Sequence, residues 1–202
     1  MKPSNEFEHK YWSEGKTLLG IDEAGRGPLA GPMVVAGVVF PIGYESGDIN
    51  DSKQLTEKKR EELYDVVIRD ALWYDIKIVE PAVIDELNPL AADRKAMTEI
   101  ALAAPTDIIL TDAVDLYIDK EVTAIIKGDA KSCSIAAASI LAKVTRDRIM
   151  VEYDKQYPEY GFAKHKGYGT KDHLEALRKY GVTPIHRKSY KPVFDCLQET
   201  LF

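Results

Sequence analysis

The residues best placed to do chemistry are carboxylates that end apolar runs. Leu18-Leu19-Gly20-Ile21 runs into Asp22 and Glu23, and Ile108-Ile109-Leu110-Thr111 runs into Asp112. Val122 to Lys127 is followed by Gly128-Asp129-Ala130. Runs of this kind read as buried strands, and α/β folds gather their active groups at strand ends. A single aspartate there is more often a turn former; three at separate strand ends make a site hypothesis. Asp115 and Asp147 are rival acids, but Asp147 sits between Arg146 and Arg148 and reads as a partner for them. With no cysteine cluster and no multi-histidine set, Asp22, Glu23, Asp112 and Asp129 favour a hard, oxygen-liking cation, Mg²⁺ or Mn²⁺.

The turn after the first acids narrows the chemistry. Gly25, Gly27 and Gly31 crowd it with Arg26 and Pro28. Glycines let backbone N–H groups approach a ligand with no Cβ in the way, and Arg26 could meet a phosphate. Adjacent strand residues point to opposite faces, so Asp22 and Glu23 can share a site only where the strand stops and the chain bends. Two cations held by these acids would activate a water and stabilise the leaving oxygen of a phosphodiester. Paired acids also serve glycoside hydrolysis, which a phosphate-friendly turn and a basic helix do not call for.

These residues need a scaffold. Residues 1–16 read as a loose lead-in or a first helix that Tyr11 and Trp12 pack down. Met33 to Phe40 is a β-branched run between Pro32 and Pro41 and reads as a strand paired to the first. Thr56 caps a helix to about Asp70, Trp73 to Val79 returns as a strand, and Pro81 to Leu87 and Ala91 to Ala103 read as helices. From Ser132 or Ser134 a long helix runs to Tyr157-Pro158, with Lys143, Arg146 and Arg148 along one side. Tyr160 to Thr170 is a basic, aromatic, glycine-rich loop. Thr170 caps a helix ended by Gly181, and a last helix covers roughly Lys191 to Leu201.

The whole is 202 residues with 45% hydrophobic and 30% charged residues, the composition of a soluble globular chain. No apolar run approaches the roughly 20 residues of a membrane span, and the polar start carries no signal-peptide core. Cys133 and Cys196 lie far apart, as suits a reducing cytoplasm. A net charge of −6 argues against a nucleic-acid partner, yet basic residues concentrate in the second half. A local basic face acts within a Debye length of roughly 8 Å whatever the total charge, so charge leaves the partner open.

Asp22-Glu23-Ala24-Gly25-Arg26-Gly27 resembles the signature of the type 2 ribonucleases H, and of bacterial ribonuclease HII in particular. Asn50-Asp51-Ser52-Lys53, Ile126-Lys127-Gly128-Asp129-Ala130, the stretch Ser134 to Arg148 and His165-Lys166-Gly167-Tyr168-Gly169-Thr170 resemble further blocks of that family, in its order. The resemblance implies a ribonuclease H-like α/β fold: one domain over 1–202, a mixed central sheet flanked by helices, and a small helical C-terminal part from about 160 that contacts substrate. It implies Mg²⁺- or Mn²⁺-dependent cleavage of the RNA strand of RNA/DNA hybrids. It also implies cleavage on the 5′ side of single ribonucleotides in duplex DNA, leaving a 3′-hydroxyl and a 5′-phosphate. Asp22, Glu23, Asp112 and Asp129 would be the catalytic, metal-binding acids. Gly25, Arg26 and Gly27 would read the 2′-hydroxyl through backbone groups, Tyr168 would stack on the next sugar, and Lys53, Lys143, Arg146 and Lys166 would hold phosphates. The family often has Asp-Gly where this chain has Asp112-Ala113. The rival readings are a nuclease on the same fold that ignores the 2′-hydroxyl and a hybrid-binding module without catalysis. A cytoplasmic monomer is expected.

The chain ends Gln198-Glu199-Thr200-Leu201-Phe202, which resembles the short Gln-x-x-Leu-Phe peptides that bind the bacterial sliding clamp. The competing reading is a helical stripe of Val193, Phe194, Leu197 and Leu201 packed on the domain.

Overall fold

The computed structural model describes residues 3–45 and 47–199. Its backbone groups into two compact units: residues to Ala24, Val34–Lys77 and Arg94–Val144 in the first, and Gly25–Met33, Ile78–Asp93 and Thr145 onward in the second. In chain order the elements are α1 (Glu6–Ser13), β1 (Leu19–Ala24), β2 (Met33–Val39), α2 (Glu57–Asp70), β3 (Trp73–Val79), α3 (Pro81–Leu87), α4 (Pro89–Ala103), β4 (Ile108–Asp112) and β5 (Glu121–Ile125). Then come α5 (Cys133–Gln156), the short α6 (Phe162–His165), α7 (Lys171–Tyr180) and α8 (Lys191–Glu199), with 3₁₀ turns at Ser52–Gln54 and Gly128–Ala130. No helix among the described residues is long and apolar enough to cross a membrane.

The first unit is built on a mixed sheet in the order β3-β2-β1-β4-β5. β1 and β2 pair antiparallel, Leu19 opposite Val39 and Ala24 opposite Val34, while β4 lies parallel to both β1 and β5. Every residue of β2 and the first four of β1 are buried, which is why these strands read as unbroken apolar runs. α5 packs directly on β1: a Cβ on Gly20 would run into the backbone of Ser134 and Ile135. On β2 a Cβ at Gly37 would meet the Ile100 side chain, so α4 also lies close to the sheet. The lead-in is a helix, α1, with Tyr11 and Trp12 buried as expected. Its Glu8 is fully buried and accepts from Ser132 Oγ at 2.6 Å and Ser134 N at 3.0 Å, putting a carboxylate at the N-terminus of α5. Ser132 itself accepts from Ile135 N at 3.1 Å and is the N-cap.

The second unit holds Gly25–Met33, α3 and the C-terminal helices. Ala30, Met150, Tyr160, Phe162, Ala176 and Ile185 form one buried cluster, and Leu29, Leu177, Val193 and Cys196 another. Thr170 and Gly181 bound α7 as the sequence implies, the threonine accepting from His173 N at 3.3 Å. In α8, Val193 and Cys196 are buried, Leu197 half-buried, and Phe194 and Gln198 exposed. Leu201 and Phe202 lie outside the described residues.

Candidate active site

Strand register brings the acids of the first unit together. Ile21 pairs with Thr111 across the parallel β1–β4 ladder, so the next step sets Asp22 beside Asp112. β5 neighbours β4 and leads into the Gly128–Ala130 turn that carries Asp129. One carboxylate oxygen from each of Asp22, Asp112 and Asp129 lies within 4.8 Å of the others. The turn is seated by Gly128 N, which donates to Asp112 Oδ1 at 2.8 Å. A Cβ on Gly128 would press on the end of the Ile135 side chain, and Lys127 enters the turn in a left-handed conformation, φ +57°.

Glu23 is not one of the three whose oxygens converge. β1 does not stop at Asp22 but runs through Ala24, still paired to β2, and the chain turns at Gly25, φ +94°, two residues later than expected. Glu23 nevertheless contributes charge: the Asp22 carboxyl is pushed well above the usual carboxylate range by its own burial, then by Glu23 and Asp112. The Glu23 N–H, which donates to Asp22 Oδ1 at 2.7 Å, pulls it back. Asp129 is raised as well, by burial and by Asp51 and Asp112. Lys53 is mostly exposed and lies 3.7 Å from Asp129. Burial alone would depress its pKa, but Asp22, Asp129, Asp51 and Asp112 together raise it. Three crowded carboxylates whose charges oppose one another are an oxygen-only donor set, which fits a hard divalent cation. Lys143 is half-buried on α5.

The second unit contains the Gly-Arg-Gly turn. Gly25 has φ +94°, and a Cβ there would collide with the Arg146 side chain, so glycine is needed twice over. Gly27 differs: its φ is not positive, and nothing lies within 4 Å of where a Cβ would stand. The described protein therefore leaves open space beside the Gly27 backbone. The Arg26 guanidinium is tied to the buried Asp93 at 2.6 Å, a partner invisible in the sequence. Arg146, expected at a phosphate, turns inward instead. It is buried and donates to the carbonyls of Pro32 at 2.9 Å and Ala30 at 3.2 Å. Burial, and then the nearby Arg187, push its pKa down to about 10. The correction has a plain cause: the helix side on which Arg146 lies is covered by the Gly25–Met33 segment. Lys166 is half-buried and donates to the Ala163 carbonyl.

Tyr168 is 46% exposed, and its ring lies over the Arg146 guanidinium at 5.8 Å. Its backbone is held by a histidine chain that sequence reading missed. Thr183 N donates to His186 Nδ1 at 3.0 Å, so the proton of His186 sits on Nε2 and faces His173 Nε2 at 3.0 Å. His173 then carries its proton on Nδ1, which donates to the Tyr168 carbonyl at 2.9 Å. Burial, first of all, pushes both rings down to about 4, and a second proton on either would set N–H against N–H. Arg187 was missed too; it is fully buried among backbone carbonyls of the turn.

The sequence model of the family described as Ribonuclease HII matches residues 19–193. The chain is 51% identical over 195 residues to the ribonuclease HII of Leuconostoc mesenteroides, covering 95% of this chain and 77% of that one. Among solved structures it is similar to the ribonuclease H2 of Pyrococcus horikoshii, with TM-score 0.73, 29% identity, and 91% and 98% of the two chains covered. It is also similar to the Archaeoglobus fulgidus ribonuclease HII solved in complex with PCNA, with TM-score 0.73, 27% identity, and 86% and 95% covered. The chain belongs to the ribonuclease HII family. The enzyme is a metal-dependent endonuclease that cleaves RNA in RNA/DNA hybrids, and its mixed sheet flanked by helices is the ribonuclease H-like fold.

Proposed function

We propose that the enzyme cuts on the 5′ side of single ribonucleotides embedded in duplex DNA as well as in hybrids, leaving a 3′-hydroxyl and a 5′-phosphate. The observation that carries the chemistry is the gathering of Asp22, Asp112 and Asp129 oxygens within 4.8 Å. These three hold Mg²⁺ or Mn²⁺, with Glu23 as the fourth acid, whose charge already acts on Asp22. Divalent cations bound there would supply an activated water and charge stabilisation for the leaving oxygen. The protein's own share is to fix the carboxylates: Gly128 N holds Asp112 and Glu23 N holds Asp22. Lys53, Lys143 and Lys166 serve phosphates, with Lys53 offsetting the negative charge of the acids.

Selectivity comes from the turn. The 2′-hydroxyl is what distinguishes RNA from DNA at one position, and a glycine turn reads it through N–H groups without reading the base. The open surroundings of Gly27 support that role for Gly25-Arg26-Gly27. Tyr168, half-exposed and backed by a cation, offers a stacking face indifferent to sequence. The C-terminal Gln198, Leu201 and Phe202 engage the sliding clamp, for which the complex of the Archaeoglobus fulgidus relative with PCNA is a precedent, and the enzyme works as a cytoplasmic monomer. The deciding assay incubates a DNA duplex carrying one ribonucleotide, and its all-DNA twin, with Mg²⁺ or Mn²⁺. A single cut 5′ to the ribonucleotide in the first duplex alone is expected. Cutting of both duplexes, or binding of the first without cutting, would overturn the reading.

A further inference from the structure

Arg187 spends a buried charge on backbone. Its Nη2 donates to the Gly25 carbonyl at 2.6 Å and to the Gly31 carbonyl at 2.9 Å, and Nε donates to Gly31 again at 3.0 Å. Nη1 donates to the Arg26 carbonyl at 2.8 Å and to the Tyr190 hydroxyl at 3.0 Å, and that hydroxyl donates in turn to the Arg26 carbonyl. Desolvating a guanidinium is costly, and burial depresses its pKa. Such an arrangement persists where the charge fixes something that matters.

What it fixes follows from peptide geometry. All peptide bonds of the described chain are trans, and in a trans peptide the carbonyl of one residue and the N–H of the next point opposite ways. Drawing the Gly25 and Arg26 carbonyls onto Arg187 therefore turns the Arg26 and Gly27 N–H groups away from the buried cation. Gly27 is also the residue of the turn with open space about it. Gly25, at φ +94°, supplies the backbone conformation that lets its carbonyl reach inward.

We propose that Arg187, with the Tyr190 hydroxyl as a second anchor on the Arg26 carbonyl, is a positioning residue for ribose selectivity: it orients the N–H groups of Arg26 and Gly27 toward the 2′-hydroxyl and touches no substrate itself. This rests on the reading that the turn contacts that hydroxyl. A merely structural Arg187 would weaken folding and all nucleic-acid binding alike; a positioning Arg187 changes one ratio.

The ratio is the preference of the protein for a duplex carrying one ribonucleotide over its all-DNA twin. It is measured by fluorescence anisotropy in EDTA, so that neither is cut, with thermal melting alongside. Arg187→Lys keeps the charge but loses the planar fork and should lower the preference by roughly fivefold, about the worth of one hydrogen bond. Tyr190→Phe should lower it by about twofold, and both variants should bind the all-DNA duplex within about twofold of wild type. If Arg187→Lys fails to fold, Tyr190→Phe carries the test alone. An unchanged preference in the folded variants, or an equal loss on both duplexes, overturns the positioning role. A wild-type preference of one instead overturns the reading that the turn senses the sugar, and the proposal with it.

Discussion

In the first unit the buried charges are of one sign: Asp22 and Asp129 crowd with the half-buried Asp112 within 4.8 Å, and the carboxyls of Asp22 and Asp129 are held above the usual range. In the second unit the buried charges are of both signs and already engaged: the guanidinium groups of Arg146 and Arg187 lie on carbonyls, Arg146 on Ala30 and Pro32 and Arg187 on Gly25, Arg26 and Gly31, while the buried Asp93 carboxylate pairs with Arg26 and Asp147 is buried on α5. The first arrangement sets like charges against one another, a strain that a bound cation would relieve. The second is complete and stores its charge as backbone order. On the proposed reading, the first region changes its electrostatics when metal arrives, while the second holds sugar-reading donors in place. The two regions should therefore answer oppositely to the same perturbations.

The largest difference should come from Asp22→Asn. It keeps the shape and removes a charge the cations need, so cleavage in Mg²⁺ should fall by roughly a thousandfold, the scale of several kcal/mol of transition-state stabilisation. In EDTA the same variant should melt higher than wild type. An acid whose folded pKa is raised destabilises the ionised protein at neutral pH, and the substitution removes that penalty. Mg²⁺ should raise the melting temperature of wild type by binding the folded state, and raise that of the variant less. Near wild-type cleavage by Asp22→Asn would remove this carboxylate from the mechanism.

Acidification sets the two regions against each other. His173 and His186 have folded pKa values near 4 against a usual 6.5. Below 6.5 the unfolded chain binds protons that the folded rings refuse, so this region loses stability progressively from about pH 6.5 down to 4, on the order of a few kcal/mol in all. Asp22 and Asp129 have raised values, so in the absence of metal their neighbourhood is relieved as pH falls through those values. Hydrogen exchange read segment by segment in EDTA should show amides of 165–186 opening more on acidification while those of β1 and β4 do not follow. Parallel loss of protection in both would mean that the histidine chain is not held neutral.

Tyr168→Ala should matter less and more selectively. The ring is half-exposed, so folding should survive. Loss of base or sugar stacking, about 1–3 kcal/mol, should slow cleavage at a ribonucleotide–DNA junction by roughly tenfold and a continuous hybrid by less. Equal slowing of both substrates would take junction sensing away from Tyr168.

The two regions were also unequally legible. The acids of the first unit announce themselves because buried parallel strands are near-continuous apolar runs, and what ends them is conspicuous. The Thr170 cap and the Gly181 stop were visible for the same local reason. A buried charge carries no such mark. Arg187 finds Gly25 at a separation of 162 positions, and Arg26 finds Asp93 at 67; in sequence each is one more basic residue. Arg146 was given a phosphate role by the family resemblance, and helical spacing, which sets it on a basic side of α5, does not reveal what covers that side. The histidine chain was hidden likewise, since His173 and His186 meet only after α7 has turned the chain back. What lies beneath a functional loop is recorded in long-range pairings, and periodicity does not reach them.

The smallest expected effect tests a glycine that this chain lacks. Ala113 follows Asp112 with φ +57°, its N–H donating to the Ile125 carbonyl at 3.1 Å. Gly25 in the second unit also has positive φ, but there a side chain is barred by Arg146 as well. Ala113 is exposed, so its methyl meets only the intrinsic penalty of a left-handed residue, roughly 1–2 kcal/mol. That gives a physical reason for the glycine that the family resemblance leads one to expect after this aspartate. Ala113→Gly removes the penalty but gives the unfolded chain more freedom, a loss of about 0.4–1 kcal/mol. The net should be a gain near 0.5 kcal/mol, read as a small upward shift of the urea midpoint with an unchanged slope. Cleavage should stay at the wild-type rate, because the Ile125 bond and the seat of Asp112 on Gly128 do not involve the methyl. An unmoved or lowered midpoint would mean that Ala113 carries no strain.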